Sequence, residues 1–279
     1  MDPSLESLMP GSTVSSSPSI SDAFRARAER GLAALVPYVC AGYPSRDESL
    51  ELLFAAADAG ADILELGIPF SDPLADGPTI QRATFEALEN GMTVSGALDI
   101  LREFRARKGT PVVLFTYLNP VYRFGVDAFV SAAREAGAQG LLLTDLPAGA
   151  DPALESRLRN GEMELIQLLA PTTTPSRASE VASGASGFLY YISRTGVTGA
   201  REALRADLSR EIKALRGLFD LPIAVGFGIS TPAQAAFVSG IADGVVVGSA
   251  LLETVASGGV AGGGRFLASL RAQMDGDRG

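Results

Sequence analysis

The chain has 279 residues, a formal net charge of −9, a pI near 4.7, no histidine, one cysteine (Cys40) and only two lysines, Lys108 and Lys213. That balance argues against a nucleic-acid or anionic-membrane surface, but not against a phosphate ester, because backbone N–H groups at helix N-termini hold phosphate without basic side chains. A Ser-His-Asp or Cys-His nucleophile system is impossible, a zinc site lacks its usual ligands, and no internal disulfide can form.

Residues 1–19 are rich in Ser and Pro, poor in aromatics and without an apolar h-region, so they read as a disordered extension and not as a secretory signal. No apolar run approaches the roughly 20 residues of a membrane span, and the expected compartment is the cytoplasm. A short helix is expected from about Ser21 to Arg30. Eight strand-like runs follow: 35–40, 62–67, 111–117, 140–146, 164–170, 188–193, 222–227 and 244–249. Their nearly continuous apolar character suits buried parallel strands.

Helical patterns lie between the runs. Ser45-x-x-Glu48 has the form of a capping box, ahead of Leu50, Leu53, Phe54 and Ala57 on one face. Thr174-Pro175 and Thr231-Pro232 each read as an N-cap followed by proline at the first helical position. Leu204, Leu208, Ile212, Leu215 and Phe219 recur at helical spacing, and the glycine-rich stretch 257–264 reads as a flexible loop. The phrases DAGADILELG, EAGAQGLLLTDL and SGIADGVVVGS each join a helix end, a turn and a strand. Eight such units point to an α/β fold, a (β/α)8 TIM barrel with a short N-terminal helix, as a single domain over residues 20–275. A doubly wound sheet is the structural alternative. Neither lysine falls at the C-terminal end of a strand, where a Schiff-base lysine would be needed, so that mechanism is set aside.

Three glycine-bearing loops follow the last three runs: 193–201 with Gly196 and Gly199, Gly226-Phe227-Gly228, and Gly248-Ser249. Together they suit a small phosphate ester. Glu65 interrupts an otherwise apolar strand, which is costly unless the carboxyl is paired or functional. Asp72 and Asp76 follow in a Gly/Pro-rich loop; turn chemistry explains Asp72, and for Asp76 turn and functional readings stand level. Tyr38, Phe115, Tyr117, Leu142, Tyr190 and Phe227 fall on or just after strands, either as barrel core or as the wall of a flat apolar pocket.

The segments ELGIPFSDPLADGPTIQ (65–81), LNPVYRFG (118–125), YYISRTGVTG (190–199), VGFGIS (225–230) and ADGVVVGS (242–249), in this order and spacing, resemble the tryptophan synthase alpha chain over about residues 20–252. The first segment is highly specific, whereas the GFGIS and GS segments are shared with other phosphate-binding barrels. The resemblance implies a lyase that cleaves indole-3-glycerol phosphate to indole and glyceraldehyde 3-phosphate without a cofactor or metal. It implies Glu65 as the main acid/base group and Asp76 as the group that handles the proton on the indole nitrogen. It further implies that Tyr38, Phe115, Leu142, Tyr190 and Phe227 line an indole pocket and that Gly199, Gly228, Gly248 and Ser249 hold the phosphate. Thr198 would lie in a lid that orders near Asp76. The implied partner is a beta chain carrying pyridoxal phosphate, in an alpha2beta2 heterotetramer, met by the loop of Asp72 and Pro73 and by the lid loop. Two departures touch the pocket: Cys40 where the family often has Thr, and Thr144 before Asp145 where many members have Pro or Ala. A stand-alone lyase, another phosphate-binding barrel isomerase and a non-catalytic partner of the beta chain remain as rivals.

Overall fold

A computed structural model describes residues 18–159, 163–193, 201–226 and 228–276. The strands β1 (Ala34–Cys40), β2 (Leu64–Gly67), β3 (Val112–Thr116), β4 (Gly140–Leu143), β5 (Glu164–Leu169), β6 (Leu189–Ile192), β7 (Ile223–Gly226) and β8 (Gly244–Val247) pair in parallel, each with its sequence neighbour. β8 returns to β1 with Ala34 opposite Gly244, so the sheet is a closed eight-stranded barrel, as expected, and the doubly wound alternative is set aside. The helices are α1 (Ile20–Ala28), α2 (Arg46–Asp58), α3 (Pro78–Glu89), α4 (Val94–Arg105), α5 (Leu118–Phe124), α6 (Val126–Glu135), α7 (Pro152–Leu158), α8 (Pro175–Ser183), α9 (Arg201–Arg216), α10 (Pro232–Ser239) and α11 (Ser249–Asp275).

Strand alternation divides the core in two. Leu35, Leu64, Leu66, Val112, Leu114, Val225 and Val245 point outward and pack with the helices, whereas Val36, Ile63, Val113, Leu142, Ile166 and Val246 fill the barrel. Because both faces are covered, the strands read as apolar runs without a polar face. The bottom of the barrel is closed by α1. Ile20 and Phe24 are buried in the interior cluster, and Phe24 lies 5.2 Å from the Phe188 ring. Ser19, expected within the extension, is the N-cap of this helix, forming a reciprocal capping box with Asp22. Residues 1–17 lie outside the described residues.

The expected caps of α8 and α10 are present: Thr174 accepts from Arg177 N, and Thr231 forms a full capping box with Gln234. Ser45 caps α2, but the Glu48 carboxylate accepts from the Ser45 hydroxyl at 2.7 Å. The glycine-rich stretch 257–264 differs from expectation, because it is helical and belongs to α11. The one departure from helical backbone within it is Gly259, at φ 63, where the helix kinks; a side chain there would be strained. The small residues have a packing reason. A Cβ on Gly263 would stand 2.9 Å from Val255 and 3.0 Å from Leu52 of α2, so the missing side chain lets α11 lie close to its neighbour. Periodicity alone could not reveal this, since glycine carries no hydrophobic signal.

The lower end of α11 is tied to the first two strands by a charged cluster. Asp62, just before β2, accepts from Arg27, from Arg271 at 3.0 Å and from Leu35 N at 2.8 Å; Arg271 also reaches Ala33 O and Asp275. Lys108 pairs with Asp58 between α4 and β3, at the end opposite the strand C-termini, and Lys213 lies within α9. Among the described residues, no helix is long and apolar enough to cross a membrane.

Candidate active site

Glu65 is the third residue of the apolar sequence Ile63–Leu64–Glu65, and strand alternation turns its side chain inward with Ile63. It stands in register with Tyr38 on one side and Val113 on the other. Only 1% of the residue is exposed, and its Oε1 has no hydrogen-bond partner among the described residues. The reading of Glu65 as a carboxyl satisfied by an arginine or a backbone group therefore does not hold for this oxygen. Desolvation pushes the carboxyl up to about 8, so Glu65 carries a proton at neutral pH.

Asp76 closes the loop between β2 and α3. Glycine and proline at 77 and 78 start α3 immediately after it, with Gly77 as N-cap and Pro78 at the first helical turn. The loop is held from two sides: Tyr117 Oη accepts from Ala75 N at 3.0 Å, and Gln81 Nε2 donates to Asp76 O at 2.9 Å. Burial pushes the Asp76 carboxyl up to about 6, and the Tyr117 hydroxyl pulls in the opposite direction. Asp76 is thus ionised at neutral pH while Glu65 is not, and two carboxyls with separated titrations suit an acid and a base. Asp72 is exposed and its carboxylate accepts from the adjacent Ser71 hydroxyl at 2.6 Å, as turn chemistry predicts.

Tyr117 is a site residue whose role is not legible in sequence. It stands out there only as one of several aromatics near strand ends, whereas its hydroxyl supports a loop 42 residues away. Tyr117→Phe is expected to raise Asp76 further, since it removes a hydroxyl whose hydrogen bond lowers it. Carboxyl titration by NMR checks this; an Asp76 titration unmoved in the variant would refute the support.

The aromatic residues meet above Glu65. Tyr38 and Phe115 make an edge contact, with centroids 5.4 Å apart at 80°, and Phe115, Tyr190 and Leu142 share the interior cluster. Two glycines make room for the tyrosines. A Cβ on Gly67 would lie 2.1 Å from the Tyr38 hydroxyl, and a Cβ on Gly226 would lie 2.2 Å from the Tyr190 hydroxyl. Burial raises both phenols far above their usual range, with Glu65 and Asp76 adding to the effect, so both hydroxyls stay neutral. Cys40, at the end of β1, is buried in the same group and its thiol is pushed up to about 12 by desolvation, which keeps it unreactive.

Gly248 precedes α11 and faces Tyr38; a Cβ there would lie 3.5 Å from the Tyr38 Cβ. Ser249 is the first residue of α11, whose start has no side-chain cap and no acidic residue in its first turn, leaving its N–H groups for an anion. Gly228, at φ 79, lies in the loop after β7. The barrel therefore brings Glu65, Asp76, Tyr38, Phe115, Leu142, Tyr190, Gly228, Gly248 and Ser249 to its upper interior and rim. Thr198, Gly199 and Phe227 lie outside the described residues.

The chain as a whole has counterparts in sequence and in fold. The sequence profile of the family described as Tryptophan synthase alpha chain matches residues 24–267. The chain is 46% identical over 248 residues to the tryptophan synthase alpha chain of Acidiphilium cryptum, covering 88% of this chain and 90% of that protein. The alpha chain of Burkholderia mallei is 43% identical over 265 residues, 92% of this chain and 97% of that one. In structure, tryptophan synthase subunit alpha of Legionella pneumophila superposes with a TM-score of 0.85 at 35% identity, covering 92% and 98% of the two chains. A chain of Mycobacterium tuberculosis tryptophan synthase gives 0.84 at 34%, with the same coverage.

Proposed function

The chain belongs to the tryptophan synthase alpha chain family, and from that premise we propose that it cleaves indole-3-glycerol phosphate into indole and glyceraldehyde 3-phosphate at the Glu65–Asp76 site. Its role is that of the lyase component of tryptophan synthase, in tryptophan biosynthesis. The observation that carries the proposal is Glu65: a buried carboxyl, protonated at neutral pH and with no partner on Oε1 among the described residues, in a barrel whose β2–α3 loop carries a second carboxyl, Asp76, that is ionised.

The protonation states set the order of events. Glu65 gives its proton to C3 of the indole ring while Asp76 takes the proton from the ring nitrogen, which yields the indolenine tautomer. Glu65, now a carboxylate, takes the proton of the side-chain hydroxyl next to the ring. The carbonyl of glyceraldehyde 3-phosphate forms, the bond from that carbon to C3 breaks, and its electron pair passes through the ring to the nitrogen. Asp76 returns the proton there. Both carboxyls end as they began, and the ring serves as the electron sink, so the step asks for no cofactor from this chain. The two tyrosines, Phe115, Leu142 and Phe227 would hold the ring. Gly199, Gly228, Gly248 and Ser249 would hold the phosphate through backbone groups and the start of α11. Thr198 would approach Asp76 when its loop closes over the substrate.

A beta chain is the partner that an alpha chain implies. Its docking face would be the rim formed by the loop of Asp72 and Pro73 with α5, where Leu74 is 91% and Tyr122 51% exposed. Large apolar side chains left in water beside the site suit a surface that is covered in use. The assembly would be an alpha2beta2 heterotetramer in the cytoplasm, with pyridoxal phosphate on the beta chain alone, and residues 20–275 would form its single alpha-chain domain after the extension.

The test is indole release from indole-3-glycerol phosphate by the purified protein, with and without a tryptophan synthase beta chain. Stimulation by the partner supports the whole reading; fast turnover alone supports a stand-alone lyase; no indole in either case sinks both. The rate should also trace a bell with pH. kcat/KM rises as Asp76 ionises near 6 and falls as Glu65 loses its proton near 8. A profile flat across that interval would count against the acid/base assignment.

A further inference from the structure

Tyr38 leans across from β1 to the glycine that ends β2. An ideal Cβ on Gly67 would stand 2.1 Å from its hydroxyl oxygen, 2.4 Å from Cζ and 2.7 Å from Cε2. Real carbon neighbours do not approach this closely, so the outer half of the Tyr38 ring occupies the space a side chain at position 67 would need. The ring cannot back away: Cys40, Ala83 and Leu252 pack around it in one buried cluster, and Phe115 meets it edge-on. On β1 Tyr38 stands in register with Glu65 of β2, so the two side chains share the barrel interior. We propose that Gly67 is a specificity-determining position, whose missing side chain sets how far the Tyr38 ring stands back from Glu65 and hence how large an aromatic ring system the pocket admits. This rests on the indole-3-glycerol phosphate reading.

The interaction makes Gly67 and Tyr38 dependent on each other. Gly67→Ala pushes the ring forward into the space of the substrate, so kcat/KM for indole-3-glycerol phosphate falls by about ten- to a hundredfold, the usual size of an overpacking effect. Tyr38→Phe would not relieve this, because Cζ and Cε2 already lie within 3 Å of the new methyl. Tyr38→Leu would, because leucine ends short of both atoms. The double variant Tyr38→Leu, Gly67→Ala is therefore expected to be more active than Gly67→Ala alone. Tyr38→Leu alone leaves the notch empty, and the ratio of kcat/KM for a substrate methylated on the benzo ring to that for the parent should rise by about tenfold, one methyl in an apolar pocket being worth roughly 10- to 200-fold at most.

The experiment measures kcat/KM for both substrates with the wild-type protein and the three variants, together with each thermal midpoint. Rescue in the double variant with a shifted substrate ratio in Tyr38→Leu supports the proposal. A Gly67→Ala protein as active as wild type overturns it, and so does a Tyr38→Leu protein with an unchanged ratio. The ratio is read in a variant that leaves Gly67 intact, so it decides the matter even if Gly67→Ala does not fold. A wild-type protein that cleaves neither substrate would instead fail the functional reading beneath it.

Discussion

Replacing Glu65 by glutamine is expected to lower indole release by about 10²- to 10⁴-fold, the usual contribution of a positioned acid/base group, while making the protein more stable at alkaline pH. The second effect follows from the same burial. The folded carboxyl titrates near 8 against an ordinary value of 4.5. Below 4.5 it is protonated in both folded and unfolded chains and its burial carries no ionic penalty. Between the two values the unfolded chain gives up a proton that the folded chain keeps, so stability falls as pH rises, by about 1.4 kcal/mol per unit. Above 8 the penalty is complete. Glutamine has nearly the same shape and no titration, so the variant should match wild type in acid and exceed it by a few kcal/mol, to order of magnitude, at alkaline pH. Denaturant unfolding at about pH 5 and about pH 8.5, on either side of most of this interval, measures the effect. An equal difference at both would show that ionisation of Glu65 is not what strains the fold, and would remove the reason to read it as a stored acid.

Asp62→Ala should cost about 3–5 kcal/mol of stability, as expected when one partner of a buried ion pair is removed. The side chains of Asp62, Arg27 and Arg271 are only 14%, 12% and 10% exposed. Burial raises the Asp62 carboxyl, and the two arginines and the Leu35 N–H oppose that shift. Without the carboxylate, two guanidinium groups face each other across a half-closed site, the Leu35 N–H loses its acceptor, and Arg271, whose Nε has no partner among the described residues, loses its link to the start of β2. Asp62→Asn should recover part of the loss, because it keeps the acceptor for Leu35. The comparison of thermal midpoints is decisive: equal losses for Ala and Asn would leave the charge as the whole effect, and a negligible loss for both would mean that the cluster is solvated after all.

Some of this is written plainly in the sequence. The eight strands are legible because each is buried on both faces, so each appears as an unbroken apolar run between turn signals. Caps such as Thr231 with Gln234 are legible because their chemistry is local. Glu65 stands out for the opposite reason, as a charge in an apolar strand. Other features depend on distant neighbours. The glycine-rich middle of α11 reads as a loop until Leu52 and Val255 supply a reason for small residues. The hydroxyl of Tyr117 acquires a role only when the barrel brings the Asp76 loop to it, and Gly67 and Gly226 are ordinary strand-end glycines until the tyrosines lie in their space. Local signals fix elements; what the glycines and phenols are for is set by packing across the barrel.

The closing contacts of the barrel impose an order on its birth. β1 finds its second neighbour only in β8, and Arg271 bonds Ala33 and Asp62 across 238 and 209 residues of chain. A ribosome adding about 5–20 residues per second takes on the order of ten to forty seconds to make the second of these spans. For that time the first strands exist with one unpaired edge and no C-terminal helix to cover them, and an open apolar edge invites pairing with another chain. The native barrel can therefore be completed only after synthesis is nearly finished, so nascent chains stalled before α11 should remain accessible to protease and to chaperones, however well their early βα units have formed.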